Sequence, residues 1–589
     1  MVVVFKKGGN MLQRLDSSLV KHKGKKLSSI LNQEDTVRSD EFSSLQEWAS
    51  SPHKIKIFKG GNYVLSETLN IQCDELYTDG TVNVTMTETT PFIILGSSSM
   101  EELGSLSSPI PKGTSYINVN TSKIKVGDIL FLFDPTDFSF SNHRYYYRKG
   151  EAVTVSAILD GRILLAGGTF DSYTVGTKIL KPTMSKKRVS GDFVVTFPKI
   201  TGQHTYSPNS AGLLAIQLRD SDFSGLSIKT IQASQSFIIR RCVNCYGYGI
   251  HNTQSIEGKS SLGLDSSLAI QNCQSIHFEG LFSGERHGSS ISGTGEQGGI
   301  VTRFITVGGE VLSTGRDSKL AADWHGNVEY STYYGRLQGI TAGGNHNTVL
   351  AGSIIESLGD AGIGGVNYNS PTIGFREING TDFKFSGVNV ISKGKPSESY
   401  KGIVDLGSTA SVLNAQTKNG GVIDFSNSVI VCEDTEHAIK IRSEDFPLTW
   451  GINLSNLVIE SAGKRPIWIQ AKTGKNCTFV NINGLKLNNN ATECLISTEE
   501  PSLNYTYTGK VNVTVKQDTN SSQQTVKLPI PLPPNYIVNC VQLNITGKNF
   551  VIMNDIRRAG EFRLTVRTSD LTSVTDKDEI VEIGYTVSL

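Results

Sequence analysis

Proline, disulfide-forming cysteine, excess charge and long apolar runs are all scarce in this chain. Its 589 residues include only 17 prolines, and its eight cysteines are scattered at 73, 242, 245, 273, 432, 477, 494 and 540. That is no disulfide framework, so they read as mostly free thiols made in a reducing compartment. No apolar run approaches the ~20 residues of a membrane span, and the opening MVVVFKKGG is too short and wrongly ordered for a secretory signal. Neither membrane insertion nor self-directed export is expected. Lys and Arg (56) nearly cancel Asp and Glu (55), for a net charge of +1. This excludes the broad basic surface that nucleic acid requires. CVNC at 242–245 has zinc-knuckle spacing without a second pair, and no phosphate-loop spacing occurs, so neither metal nor cofactor is expected.

What is abundant is glycine, 59 residues of it, with much Ser, Thr and Asn, a composition for many short strands and tight turns. One helix is legible in SDEFSSLQEWASSP, begun by Ser39-Asp40 and stopped by Pro52. From about residue 213 a phrase recurs: FSGLSI at 223, FSGVNV at 385, FSNSVIV at 425, LSNLVIE at 454 and INGLKL at 482. A second echo links ITAGGNHN at 340 with GIGGVNYN at 362, and would stack Tyr334 over Glu356 and Gln338 over Asp360. Self-similarity with periods in the twenties predicts an all-β, right-handed parallel β-helix, a solenoid in which the phrase marks strand, inward small polar residue and bend. A large sandwich or propeller is the alternative.

The expected organisation is a flexible N-terminal docking segment over 1–38, a lead-in region with the short helix over 39–200, the β-helix over 201–500, and a small C-terminal β-domain over 501–589. KLPIPLPPNY at 527–536 reads as the linker into the last, since its prolines cannot pair in a central strand.

VGDILFLFDPTDFSFSNHRYYYRKGEAVTVSAI at 126–158, with TSYINV before it and FDSY at 170, resembles the corresponding region of bacteriophage tailspikes of the pectate-lyase-like β-helix type. The resemblance spans roughly 28–500, is specific at 126–158 and is architectural elsewhere. It implies a homotrimer in the virion, made in the host cytoplasm and docked through its N-terminus to the phage tail or another tail fibre protein. It also implies a partner, a bacterial capsular or O-antigen polysaccharide, that is bound and usually cleaved.

The densest chemistry lies in ADWHGNVEYSTYYG at 322–335. On a strand, Asp323, His325, Asn327 and Glu329 share one face, which is also what an inert wet strand shows. Glycoside hydrolases hold two acids about 5 to 9.5 Å apart. Asp323 and Glu329 would be about 20 Å apart on a straight strand, so the partner of Asp323 belongs one coil away. Glu285 is first, with His287 beside it and Arg286 between, while Glu296, Glu356 and Asp360 follow. Asp323 with Glu285 would hydrolyse, tuned by His325 or His287. A lyase would instead use a base such as His325 or a tyrosine, with Arg286 or Arg336 for the developing charge. Tyr330, Tyr333 and Tyr334 suit sugar binding, at least one of them being ordinary core, and Tyr145–Arg148 reads as structural. An inter-subunit site would recruit Glu433, Asp434 or Asp382. A non-catalytic binding spike is the third reading. No convincing Ser, His, Asp arrangement marks an esterase.

Overall fold

Parallel strands stacked coil upon coil form two long faces. The computed structural model describes residues 35–138, 147–198, 210–255, 266–284, 286–293, 298–313, 320–357, 373–378, 382–392, 402–406, 422–432, 437–442, 450–461, 467–471, 477–488, 495–498, 504–528, 536–546, 548–558 and 561–588, with short strands at Lys21–His22 and Lys25–Lys26. The docking segment expected over 1–38 and the proline linker thus lie almost wholly outside the described residues.

One face is a thirteen-stranded sheet, in which Leu213 stacks on Phe237, Phe237 on Leu268, Leu268 on Ser289, Ser289 on Ala322 and Ala322 on Ile340. The second is built from longer strands, Val243–Ser255, Gln274–Gly284 and Thr302–Ser313, that stack in parallel and bend where Gly249 and Gly309 take positive φ of 64° and 97°. Beyond residue 325 this long strand breaks into Val328–Glu329, Thr332–Tyr333 and Arg336–Leu337, all paired with Thr302–Ser313. The expected parallel β-helix is present.

The recurring phrase has a defined geometry. Its Phe or Leu points inward, and its third residue takes the left-handed conformation at Gly225, Gly387, Asn427, Asn456 and Gly484, which glycine adopts freely and asparagine tolerates. The Ser before it faces out, contrary to the inward place expected. Ser386 and Ser426 hydroxyls are hydrogen-bonded at 2.9 Å on the outside, and Asn456 Nδ2 donates to Asn427 Oδ1 at 3.1 Å. The inward small polar residue is instead the fourth position at Ser428, which donates to Phe385 O at 2.7 Å. Val429 pairs with Val458 and Val458 with Lys486, so this part of the repeat is the true coil period. The echo at 362 is not, because Ile340 stacks on Ile373 and Arg336 on Ile354. Gln338 is therefore level with Glu356, and Asp360 is outside the described residues.

Inward rings stack along the coils. Phe223, Phe237 and Phe278 lie 5.0 to 5.9 Å apart, and Phe385 lies flat on Phe425 at 5.1 Å. A single apolar core runs from Val37 to Val587. Cys242, Cys245 and Cys273 are buried free thiols within it, and burial raises the Cys242 thiol well above its usual range, so it stays protonated.

Coil stacking begins earlier than expected, where Thr36–Arg38 pairs in parallel with Ile55–Leu65. The lead-in region is therefore the first coils plus one insertion. A 3₁₀ turn occupies Ser39–Glu41, and the α-helix starts later, at Leu45–Ser50, because Ser44 is the residue whose side chain caps it. Buried Lys56 Nζ donates to the carbonyls of Trp48, Ala49 and Ser51 at 2.5 to 2.8 Å, closing its C-terminus. The insertion is a six-stranded sheet running from Met100–Ser105 to Lys178–Pro182 with every pairing antiparallel. It packs Ile129, Phe131 and Leu180 on Val243 and Ile300 of the coils. At the other end Asn504–Val515 pairs in parallel with Cys477–Asn483 and antiparallel with Glu579–Ser588, so the C-terminal strands grow out of the last coil.

Asn456→Val should cost about 1–2 kcal/mol, since a β-branched residue is strained at φ of 51°. Asn456→Gly should stay within about 0.5 kcal/mol of the parent. Urea midpoints of the two variants check this.

Candidate functional site

The strand Ala322–His325 lies on the thirteen-stranded face beside His287–Ser292, with Ser290 next to Asp323 and Ser292 next to His325. Ala322 and Trp324 are fully buried in the core, so strand alternation turns Asp323 and His325 outward. Asp323 Oδ2 accepts a hydrogen bond from Ser290 Oγ at 2.9 Å and lies 3.2 Å from His325 Nδ1 and 3.8 Å from His287 Nε2. His287 Nδ1 lies 2.6 Å from Leu320 O. Outward though it points, Asp323 is only 2% exposed. Burial alone would raise its carboxyl, but attraction to His325 and His287, the hydrogen bond from His325 and the charge of Arg286 hold it well below the usual carboxylate range. Burial pushes His287 the other way, down to about 4 despite the neighbouring Asp323. His287 is thus neutral near pH 7, and its Nδ1–H donates to Leu320 O.

Such a carboxylate is poorly suited to protonate a leaving oxygen, so of the two roles expected of the Asp323 and Glu285 pair the proton donor's does not fit Asp323. It can orient a base. With Nδ1–H committed to Asp323, His325 presents Nε2 from a partly exposed ring. Glu285, the expected second acid, lies outside the described residues, as do Glu296, Glu433 and Asp434.

Two further residues of this stretch leave the Asp323 face, Tyr333 as the core tyrosine that was expected. Past Gly326, which takes φ of 71°, the chain turns onto the other sheet, and Glu329 lands beside Arg303. Its carboxylate accepts from Arg303 Nε at 2.8 Å, while Arg303 also pairs with Asp171 of the inserted sheet. Glu329 is thus a counter-ion to a fully buried arginine, not a member of the Asp323 cluster. Tyr333 is fully buried and cannot grip sugar. Its ring points across the coil interior, and its hydroxyl lies within 3.2 to 3.3 Å of Ser289 O and the backbone of Asp323.

Tyr330 sits in a corner stack. Phe170, Phe304, Tyr330 and His346 succeed one another at 4.8, 5.7 and 4.6 Å, so the faces meant for a pyranose are covered by neighbouring rings. His346 in turn faces Asp382 at 3.4 Å. The stack binds the insertion, through Phe170, to successive coils.

The remaining predicted residues lie on the outer surface of the second sheet. Tyr334 lies over Gly308, where a Cβ would meet its ring carbons at 1.9 to 2.4 Å. Its hydroxyl is pushed up to about 12, by burial first and then by its hydrogen-bonded neighbour Glu279. The His277 ring is 6.4 Å from Tyr334 and 5.2 Å from Tyr248. Arg336 bonds Glu356 at 2.5 Å and approaches Glu310 at 3.9 Å. His277, Glu279, Tyr246 and Tyr248, none of them a candidate from the sequence, share this surface. The signal was there in CYGYG and IHFEG, both with polar or aromatic groups at i and i+2.

Among the described residues no group of three or more His, Cys, Asp or Glu has an arrangement that would hold a metal ion, and no helix is long and apolar enough to cross a membrane.

Residues 234–441, which carry the Asp323 cluster and the Tyr334 surface, match the family model described as Gp49, pectin lyase-like. No protein of curated function matches the chain in sequence. Among solved structures, the tailspike gp61 of Pseudomonas phage phi297 superposes with a TM-score of 0.63 at 16% identity, over 94% of this chain and 99% of that one. The tailspike gp49 of Pseudomonas phage LKA1 gives 0.67 at 17%, over 92% of each. Gp54 of Acinetobacter baumannii bacteriophage AP22, solved in complex with A. baumannii capsular saccharide, gives 0.66 at 16%, over 98% and 100%. The fold is that of phage tailspikes. At these identities the tailspike likeness extends to architecture along almost the whole chain, insertion and C-terminal strands included.

The buried histidine makes stability depend on pH. Because His287 titrates near 4 when folded and near its ordinary 6.5 when unfolded, the unfolded chain binds the extra proton between those values. Stability should be complete above about pH 6.5 and fall by on the order of 3 kcal/mol as pH drops to about 4. His287→Gln should flatten that part of the curve, measured as urea midpoint against pH.

Proposed function

We propose that this protein is a phage spike that binds a bacterial surface polysaccharide, capsule or O-antigen, along its coils and cuts it within the chain, with His325 as the proton-transfer group. The observation that carries the reading is the Asp323–His325 pair, set on an architecture shared with a spike solved with capsular saccharide bound. The stacked coils offer a long face suited to an extended polymer.

A hydrolase of the paired-carboxylate kind needs carboxyl groups that reach the substrate, and Asp323 is a buried anion behind His325. A histidine base favours β-elimination from a uronic acid residue instead. His325 Nε2 takes the proton from the carbon next to the sugar carboxylate, the C–O bond to the leaving sugar breaks, its electron pair leaves with the oxygen, and solvent protonates that oxygen. Arg286, whose charge already acts on Asp323, would offset the negative charge that develops. His325→Gln should lower kcat by about 10²–10⁴-fold without loss of the folded state, and the products should carry unsaturated, ultraviolet-absorbing ends. New reducing ends without that absorbance would mark hydrolysis, and glycan binding without shortening would mark a non-catalytic spike.

The homotrimer and its attachment to the phage tail through the N-terminus belong to the same reading. Ile537, Val541, Leu543 and Ile545 alternate along one edge of the C-terminal strands, and Val551 and Met553 alternate on the strand Phe550–Arg558. All six are exposed, Ile545 by 99%. An apolar surface of this kind marks an association face, and we assign it to the other two copies of the chain. Val541→Asp with Ile545→Asp should give monomers in sedimentation velocity while the coils stay folded by circular dichroism.

A further inference from the structure

Tyr334 lies on the outer surface in a way that ordinary strand packing does not require. A side chain on a sheet normally stands away from it, but this ring covers Gly308, the one residue type that leaves room beneath it. Gly308 is paired in register with Glu279, and Glu279 with Tyr248, so the ring reaches down the coils toward the carboxylate that its hydroxyl bonds. One face of the ring is spent on Gly308, and the side chain is only half-buried. Around it stand His277 and the exposed rings of Tyr246 and Tyr248, 6.3 Å apart. Across the bend stand Glu310, Arg336 and Glu356, with Arg336 already engaged by both carboxylates. The patch crosses five coils, about 19 Å at ~4.8 Å per coil, the length of a few linked sugars.

The geometry points to a pyranose-stacking subsite in which the open face of Tyr334 takes the apolar face of an uncharged sugar ring, with Glu279 and Glu310 accepting from its hydroxyls. Aromatic rings with a free face and a wet rim bind sugars in this way. With three carboxylates to one cation, Glu279, Glu310 and Glu356 disfavour a uronate here, so this subsite takes a different sugar of the repeat from the one cleaved at His325. The inference rests on the polysaccharide-binding half of the proposed function and is independent of the cleavage chemistry.

The test uses the full-length protein and a panel of purified bacterial capsular and O-antigen polysaccharides of known repeat, immobilised and read by surface interferometry. If no polysaccharide in such a panel binds, the proposed function itself fails and this subsite with it. With a polysaccharide that binds, Tyr334→Ala should weaken affinity roughly tenfold. Gly308→Ala, whose added methyl lifts the ring without strain at its own φ, should do nearly the same. Tyr334→Phe, which keeps the face and loses only the bond to Glu279, should stay within about threefold of the parent. The expected ligand carries at least one uncharged pyranose in its repeat. Unchanged affinity in both Tyr334→Ala and Gly308→Ala, with melting temperatures like the parent's, overturns the subsite. So does binding confined to polysaccharides in which every sugar is acidic.

Discussion

Each coil is held to the next by a ladder of parallel backbone hydrogen bonds and by inward side chains resting on their equivalents one coil away. Phe385 on Phe425 at 5.1 Å and Phe223 against Phe237 at 5.0 Å are instances of that contact. No coil buries its apolar face alone, so stability accumulates by stacking. The consequence for function is geometric. Inward positions in register force outward positions into register too, and any outward chemistry is arranged in columns spaced by one coil. That is why His287 and Asp323, 36 positions apart in the chain, share a carboxylate oxygen's surroundings at 3.8 Å, and why Tyr334 meets Glu279.

A second constraint is the seam between the coils and the inserted sheet. Arg303 is fully buried there, flanked by Glu329 from the next coil and Asp171 from the insertion. A buried charge pair adds little net stability, but losing one partner leaves an uncompensated charge. Such a clamp therefore specifies where the insertion docks. The Phe170 stack and Asn327 Nδ2, which donates to Arg148 O at 3.2 Å, lie at the same seam. Tyr147, fully buried, rests against Gly326 at the bend that separates His325 from Glu329. The insertion thus helps define where the Asp323 strand ends and the corner begins.

Strand alternation, glycine-rich bends and the recurring phrase were legible in the sequence, because period-two polarity and left-handed turn residues are local properties. The alternation placed Asp323 and His325 outward correctly. It failed for Glu329, since it presumed one strand across a glycine that turns the chain, and for Tyr330, whose neighbours Phe304 and His346 come from other coils. It failed too for Tyr333, which has the parity of Asp323 yet is buried, because the turn at Gly326 resets which side faces the core. The echo at 362 misled because coil length varies: Ala322 stacks on Ile340, 18 residues on, whereas Ile340 stacks on Ile373, 33 residues on.

By itself, then, the sequence determined the parallel β-helix, its turn chemistry and the outward strand that carries Asp323 and His325, since these follow from spacing within short segments. Which residues meet was decided only by the tertiary structure. Contacts between coils depend on loop lengths that the repeat does not encode. Burial, which holds Asp323 as an anion beside a partly exposed His325, arises only when neighbouring coils close around the side chain.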